Sequence, residues 1–154
     1  MLVAVAALAA TACRPAVEAA SYALEPVDRP IAEFDVRQLG EHDSARWLGD
    51  GRLFVEARSD PGRYLNVQQL WVTFAPDAPA RVELRAWSQE TRRMGATWPS
   101  EDIRGTSWVS GGPEALSRPD GPGLTIQTTW SCRVASDERF GSLHLHLRPD
   151  QVDR

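Results

Sequence analysis

Residues 142–148 read Ser-Leu-His-Leu-His-Leu-Arg, and this stretch decides the fold class of the chain. Its three leucines alternate with polar side chains. In a β-strand, side chains at positions i and i+2 lie on the same face. The alternation therefore predicts a strand with one apolar face toward a core and one polar face toward solvent.

The same period of two recurs outward from this stretch. Apolar and charged residues alternate at 81–86 and again at 32–37, where Ala32, Phe34 and Val36 are predicted to face the core. None of the eleven prolines and eleven glycines falls inside a predicted strand, as expected for residues that break ladders or mark turns. The predicted strands are Ile31–Gln38, Arg52–Arg58, Val67–Ala75, Ala80–Ser88, Thr106–Ser110, Leu124–Arg133 and Ser142–Arg148.

Short strands separated by frequent turn residues predict an all-β domain, an antiparallel β-sandwich of Ig-like or jelly-roll-like type. One segment, Ala80–Met94, is also compatible with a helix, because Asp77 could cap it and Gly95 could end it. A helix would place Leu84 nearly opposite Val82 and leave no continuous apolar stripe. The strand is therefore favoured for this segment.

The composition limits the possible classes of function. The chain has 154 residues and a formal net charge of −4, and all seventeen of its basic residues are arginine. A mildly acidic domain lacks the basic face that nucleic acid requires, so no nucleic-acid partner is expected. The absence of lysine excludes Schiff-base chemistry on a lysine amine. The length suits one domain with a hydrophobic core.

Residues 2–13 form an uncharged, alanine-rich, apolar run that ends at a cysteine. The run has the length of a secretory signal core and is too short for a membrane-spanning helix, which needs about 20 apolar residues. Its end, Ala10-Thr11-Ala12-Cys13, resembles the lipobox of bacterial lipoproteins. It departs from that pattern at the first position, where the family prefers leucine, and no basic residue precedes the run.

This resemblance implies cleavage after Ala12, attachment of lipid to Cys13 and, with Arg14 following, sorting to the outer membrane. The chain would then comprise a signal peptide (1–12), a lipidated cysteine with a flexible tether (13–30) and the β-sandwich domain (31–154). The expected location is extracytoplasmic, in the bacterial cell envelope, with the lipid on Cys13 holding the protein to the membrane. Cleavage by an ordinary signal peptidase after Ala19, or a buried N-terminal helix in a cytosolic protein, are the alternatives.

His144 and His146 are candidate metal ligands, because two residues on one face of a strand could bind a single ion. A site needs at least a third ligand, for which Cys132 is the obvious candidate, whereas no spacing supports His42. If the last two predicted strands pair as an antiparallel hairpin, Cys132 is predicted opposite Leu143. The cysteine and the histidines then lie on different faces, which argues against a shared metal site and against a Cys–His nucleophilic pair. Both histidines are more simply explained as polar positions facing solvent.

Six tryptophans in a small domain are a second candidate feature. Exposed tryptophan rings stack on sugar faces, so Trp71, Trp87 and Trp98 are candidate carbohydrate-binding residues. The predicted hairpin of the third and fourth strands places Trp71 opposite Glu83 and keeps the rings of Trp71 and Trp87 apart. A cation–π pair between Arg85 and Trp71 is an equally suitable use of that ring.

The sequence contains no nucleophile elbow, phosphate loop or dinucleotide fingerprint, and it indicates no cofactor. The predicted function is therefore non-catalytic: a lipid-anchored, extracytoplasmic envelope protein that binds a partner protein or polymer through loops and one sheet face. One alternative is a carbohydrate-binding module that uses Trp71, Trp87 or Trp98. The other is a metal-binding envelope protein that uses His144 and His146.

Overall fold

The computed structural model describes residues 21–33, 35–58, 66–88, 103–134 and 137–154. These residues form ten β-strands and two 3₁₀ turns, and none of them lies in an α-helix, which confirms the all-β prediction. Accordingly, this part of the chain contains no helix that is long and apolar enough to cross a membrane. The strands are β1 (Tyr22–Pro26), β2 (Arg37–Gln38), β3 (Ser44–Trp47), β4 (Leu53–Arg58), β5 (Asn66–Ala75), β6 (Ala78–Ser88), β7 (Arg104–Val109), β8 (Leu124–Val134), β9 (Asp137–Leu147) and β10 (Val152–Asp153), and the 3₁₀ turns are Pro113–Leu116 and Pro149–Gln151.

All ten strands belong to one mixed sheet, in the order β10-β3-β4-β5-β6-β1-β7-β8-β9-β2. Neighbouring strands are antiparallel except for three parallel pairs, β10 with β3, β1 with β7 and β2 with β9. The sheet curls into a half-barrel. A contact across its interior joins the two halves, because Gln68 Nε2 on β5 donates a hydrogen bond to the Ser142 carbonyl on β9 at 3.1 Å.

The core is built by the alternation that the sequence predicts. Leu143, Leu145 and Leu147 on β9 are fully buried, whereas His144 and His146 between them are half-buried on the opposite face. Each fully buried leucine stabilises the fold by about 1.5–3 kcal/mol relative to an exposed one. Their partners on the inner face are contributed by most of the other strands, and include Leu24, Leu53, Val55, Leu70, Val72, Val82, Leu84, Leu124, Ile126 and Trp130.

The β5–β6 hairpin has the predicted register. Trp71 lies opposite Glu83, as expected, and the two strands are joined by a two-residue turn with an irregularity between Thr73 and Ala75. The strand rather than the helix is therefore correct over Ala78–Ser88, while residues 89–94 lie outside the described residues.

The predicted register of the β8–β9 hairpin is wrong. Cys132 pairs with Arg139 rather than with Leu143, because the two strands are connected through only two residues, 135 and 136. The register is displaced by an even number of positions, which leaves every side chain on its predicted face. Cys132 is buried in the core, and His144 lies on the other side of the sheet, opposite Gln127.

β1 corrects the predicted boundary between tether and domain. Residues 22–26, which fall within the segment 13–30 predicted to be a flexible tether, form a central strand of the sheet. Residues 22–24 pair with β6, and residues 25 and 26 pair with β7, so β1 connects the two halves of the half-barrel. Leu24 points into the core and is 3% exposed, which explains why this short segment is ordered with the domain. Residues 13–20 lie outside the described residues.

The predicted strand Ile31–Gln38 is wrong except at its end, because only Arg37 and Gln38 pair with a neighbour. We call residues 27–33 the strap. It leaves β1, crosses the outer face of β8 and is held there by the Gln127 side chain. The predicted core face is also incorrect at Val36, which is 39% exposed, while Phe34 lies outside the described residues.

Candidate functional site

A row of aromatic and arginine side chains crosses the outer face of four adjacent strands. Phe54 on β4 is paired with Arg46 on β3 and with Trp71 on β5. Arg85 on β6 also lies beside Trp71; it is two residues along from Glu83, the residue that pairs with Trp71. All four face away from the core, because the residues that alternate with them, such as Val55 and Leu70, are fully buried. We call these four residues the aromatic–arginine row.

The two rings hold the two guanidinium groups in place. The ring centroids of Phe54 and Trp71 are 5.2 Å apart, with their planes tilted by 57°. Arg46 Cζ lies 5.1 Å from the Phe54 centroid, and Arg85 Cζ lies 5.5 Å from the Trp71 centroid. The predicted Arg85–Trp71 cation–π pair is thus present. Each such pair contributes about 0.5–1 kcal/mol at an exposed site, enough to favour one arginine conformation over the others.

The guanidinium groups of the row keep free hydrogen-bonding capacity. Within the described ranges, neither Arg46 nor Arg85 forms an ion pair, and Arg85 Nε is buried without a hydrogen-bond partner. Two carboxylates share this face: Glu56 accepts a bond from Gln69 Nε2 at 2.9 Å, and Glu83 accepts one from Ser21 Oγ at 3.3 Å. Among the described residues, neither carboxylate forms an ion pair with the guanidinium groups of the row.

The sequence indicates half of this row. It points to Trp71 and Arg85 as a candidate pair, whereas nothing in it singles out Phe54 and Arg46. Phe54 stands between two apolar neighbours, which hides the alternation of β4, although the charged Glu56 and Arg58 mark even positions as outward. Arg46 lies on β3, a strand too short to give a pattern.

The other tryptophan candidates are only partly placed. The backbone of Trp87 belongs to β6 and pairs with that of Val67. Its side chain and Trp98 lie outside the described residues. The Trp71 ring carries Arg85 over one side and contacts Phe54 at its edge, so it is not an open stacking platform in this conformation.

The histidine pair lies on one face of β9, as predicted, but without a third ligand. His146 Nδ1 is 3.0 Å from Thr125 Oγ1, and His144 lies opposite Gln127. Cys132 points to the other side of the sheet, and His42 is near Glu41 instead. No group of three or more potential metal-binding side chains occurs in the portion of the chain that is described.

No protein-family model, no curated protein and no solved structure matches this chain.

Proposed function

We propose that this chain is a non-catalytic, polymer-binding protein of the bacterial cell envelope. In this proposal it is exported, anchored by lipid on Cys13, and binds an anionic polymer through the aromatic–arginine row. The observation that supports it most strongly is that two guanidinium groups without ion pairs are held over aromatic rings on one sheet face.

Guanidinium chemistry favours an anionic partner. An arginine can donate two parallel hydrogen bonds to one carboxylate or phosphate group, and these charge-assisted bonds are stronger than neutral ones. Because Arg46 and Arg85 are already positioned by their rings, little side-chain entropy is lost on binding.

The spacing of the row favours an extended polymer rather than a small anion. Arg46 and Arg85 lie on strands β3 and β6, which are separated by three interstrand spacings, or about 14 Å. A single carboxylate cannot reach both groups, whereas successive charged units of one chain can. An acidic glycan of the envelope fits this arrangement, since its sugar rings can also contact the half-buried ring of Trp71.

A neutral carbohydrate is the second candidate, favoured by the half-buried Trp71 ring beside Phe54. Its sugar ring would have to displace Arg85 from Trp71, which costs about 0.5–1 kcal/mol. A neutral glycan would gain nothing from the charge of Arg46. The two candidates are therefore separated by whether binding requires negative charge.

The direct test is calorimetry with polygalacturonate and with its methyl ester, which has the same backbone but little charge. We expect binding of the acid form only, and at least tenfold weaker binding by Arg46→Gln and Arg85→Gln, which each lose a charge-assisted bond. Arg81→Gln is the matched control, because Arg81 is exposed on the same face and strand as Arg85 but contacts no ring. Equal binding of the ester, or an equal loss with Arg81→Gln, would contradict the anionic site.

The proposed location has its own test. The intact mass of the mature protein from the host membrane fraction should equal a chain that starts at Cys13 with added lipid. An unmodified full-length chain in the cytoplasm would overturn both anchor and compartment. We also propose that the two halves of the curled, mixed sheet pack against each other like the layers of a sandwich, supported by the hydrogen bond from Gln68 to Ser142.

A further inference from the structure

A second candidate site lies at one end of the half-barrel, away from the outer sheet face. A cleft of about 440 Å³ opens between the β5–β6 turn and the segment that leads into the 3₁₀ turn Pro113–Leu116. Its size falls within the roughly 300–1,000 Å³ typical of small-molecule sites.

Part of the wall of this cleft is apolar, and that part is held in place. Phe74 and Ala80 line it and also pack against the hydrophobic core. Phe74 is further fixed by Trp47, with ring centroids 6.0 Å apart. Pro113 completes the apolar lining. A ligand with a short carbon chain would thus meet a preformed surface that includes one aromatic ring.

The polar side of the cleft is negative. Glu114 is the one ionisable residue among those that line it, and in the described part of the chain its carboxylate forms no ion pair or hydrogen bond. Asp77 lies between two lining residues, Pro76 and Ala78. No arginine or histidine belongs to the lining, so nothing in the cleft neutralises Glu114.

Two glycines, Gly111 and Gly112, line the cleft beside Glu114. Gly111 has a φ of 69°, a conformation that other residues rarely adopt. A Cβ atom on Gly112 would lie 2.7 Å from Glu114 Oε2, too close for both groups to keep their positions. The carboxylate of Glu114 therefore lies against the backbone of Gly112, a residue that also lines the cleft.

We propose that the cleft binds a small organic cation of the alkylammonium class. Its carbon chain lies on Phe74, Ala80 and Pro113, and its ammonium group pairs with Glu114. The ring of Phe74 supplies a surface that attracts cations, and burial of the carbon chain against the apolar residues favours binding. This site takes a ligand of the opposite charge to the aromatic–arginine row and does not depend on the polymer-binding proposal.

The test is a titration of the ¹⁵N-labelled full chain with n-butylamine, followed through the amide signals of Gly111 and Gly112. We expect saturable shifts of these signals, at least fivefold weaker binding of the uncharged n-butanol, and no binding of butyrate. Glu114→Gln should weaken n-butylamine binding at least fivefold. Glu83→Gln, which removes a carboxylate from the outer sheet face, should leave it unchanged.

Three outcomes would overturn the proposal. These are equal affinities for n-butylamine and n-butanol, an unchanged affinity in Glu114→Gln, or shifts that never saturate while the protein stays folded. Circular dichroism of each variant distinguishes loss of the site from loss of the fold. Polygalacturonate binding by Glu114→Gln separates this site from the aromatic–arginine row, since that binding should be unaffected.

Discussion

Gln127 is the residue that fixes the strap to the sheet. It is 1% exposed although it lies on the outer face of β8, because the strap covers it. Its Oε1 accepts hydrogen bonds from the amides of Ile31 at 2.6 Å and Ala32 at 3.0 Å, and its Nε2 donates to the Ala32 carbonyl at 2.6 Å. Hydrogen bonds to this one side chain thus take the place of the strand pairing that the alternation of residues 31–38 predicts.

Removing this amide should release the strap while leaving the sheet intact. We expect Gln127→Leu to lower the free energy of unfolding by about 2–4 kcal/mol, the net value of three hydrogen bonds. Hydrogen exchange should accelerate at the amides of Ile31 and Ala32. Gln69→Leu is the control, because Gln69 makes one half-buried side-chain bond to Glu56. Slow exchange at Ile31 and Ala32 in the Gln127 variant would show that the strap is held by other contacts.

Leu145 tests the assignment of inside and outside on β9. It is fully buried, so Leu145→Ala should cost about 2–5 kcal/mol of stability through lost burial and a residual cavity. Arg81→Ala, at an exposed position on β6, should change stability by about 0.5 kcal/mol or less. Urea denaturation of both variants measures the difference. Similar costs for the two would contradict the inward orientation of Leu145.

At the scale of elements, the close pairing of β7 with β8 depends on a glycine. A Cβ atom on Gly105 would overlap the Thr129 carbonyl oxygen and lie 2.8 Å from Trp130 Cα. Both are backbone atoms, so relief requires the strands to separate. We expect Gly105→Ala to destabilise the protein by about 3 kcal/mol, at the upper end of overpacking costs.

Gly49→Ala is the matched control for this element. Gly49 lies in the turn between β3 and β4, and nothing stands within 4 Å of a Cβ placed there. Its substitution should therefore change the melting temperature very little. If Gly105→Ala melted at the same temperature as Gly49→Ala, the tight β7–β8 pairing would be wrong.

Strands with strong alternation could be predicted from the sequence, but their pairing could be predicted only where the turn was short and clear. β5 and β6 are joined at Pro76-Asp77, and the predicted pair of Trp71 with Glu83 is confirmed. The predicted β8–β9 register is wrong because residues 137–141 do not alternate as regularly as the leucines that follow. Such an error does not change the predicted face of a side chain, since a register shift by an even number of residues keeps every side chain on the same side of the sheet.

At the scale of the whole molecule, a partly buried ion pair links β2, at one end of the sheet order, to strands near the other end. Arg37 on β2 binds Asp43, which is 4% exposed in its side chain. Arg37 Nη2 donates to the Arg58 carbonyl at 2.7 Å, and the Arg58 amide donates to Asp43 Oδ1 at 3.1 Å. The edge strand β2 is thus joined to the end of β4. No pattern of the sequence indicated this link, because it depends on the curl of the sheet.

The central position of β1 predicts where the folded domain begins. A chain that starts at residue 21 retains the whole of β1 and should unfold cooperatively. A chain that starts at residue 27 loses the strand that pairs with both β6 and β7, along with the buried Leu24. It should lack a cooperative thermal transition and give poorly dispersed amide signals. A cooperative transition in the shorter chain would restore the predicted domain boundary near residue 31.

Because of the position of β1, the order in which the strands are synthesised differs from the order in which they can pair. This strand is made before its partners, residues 82–84 of β6 and 106–107 of β7, which come from the middle and later parts of the chain. The β5–β6 and β8–β9 hairpins join near neighbours and can form early, whereas contacts between distant segments form slowly. During that interval each half of the sheet exposes an open edge. The first described strand of the chain is therefore among the last to be placed. Its docking covers the open edges of both halves, through which the chain is most prone to associate with other copies.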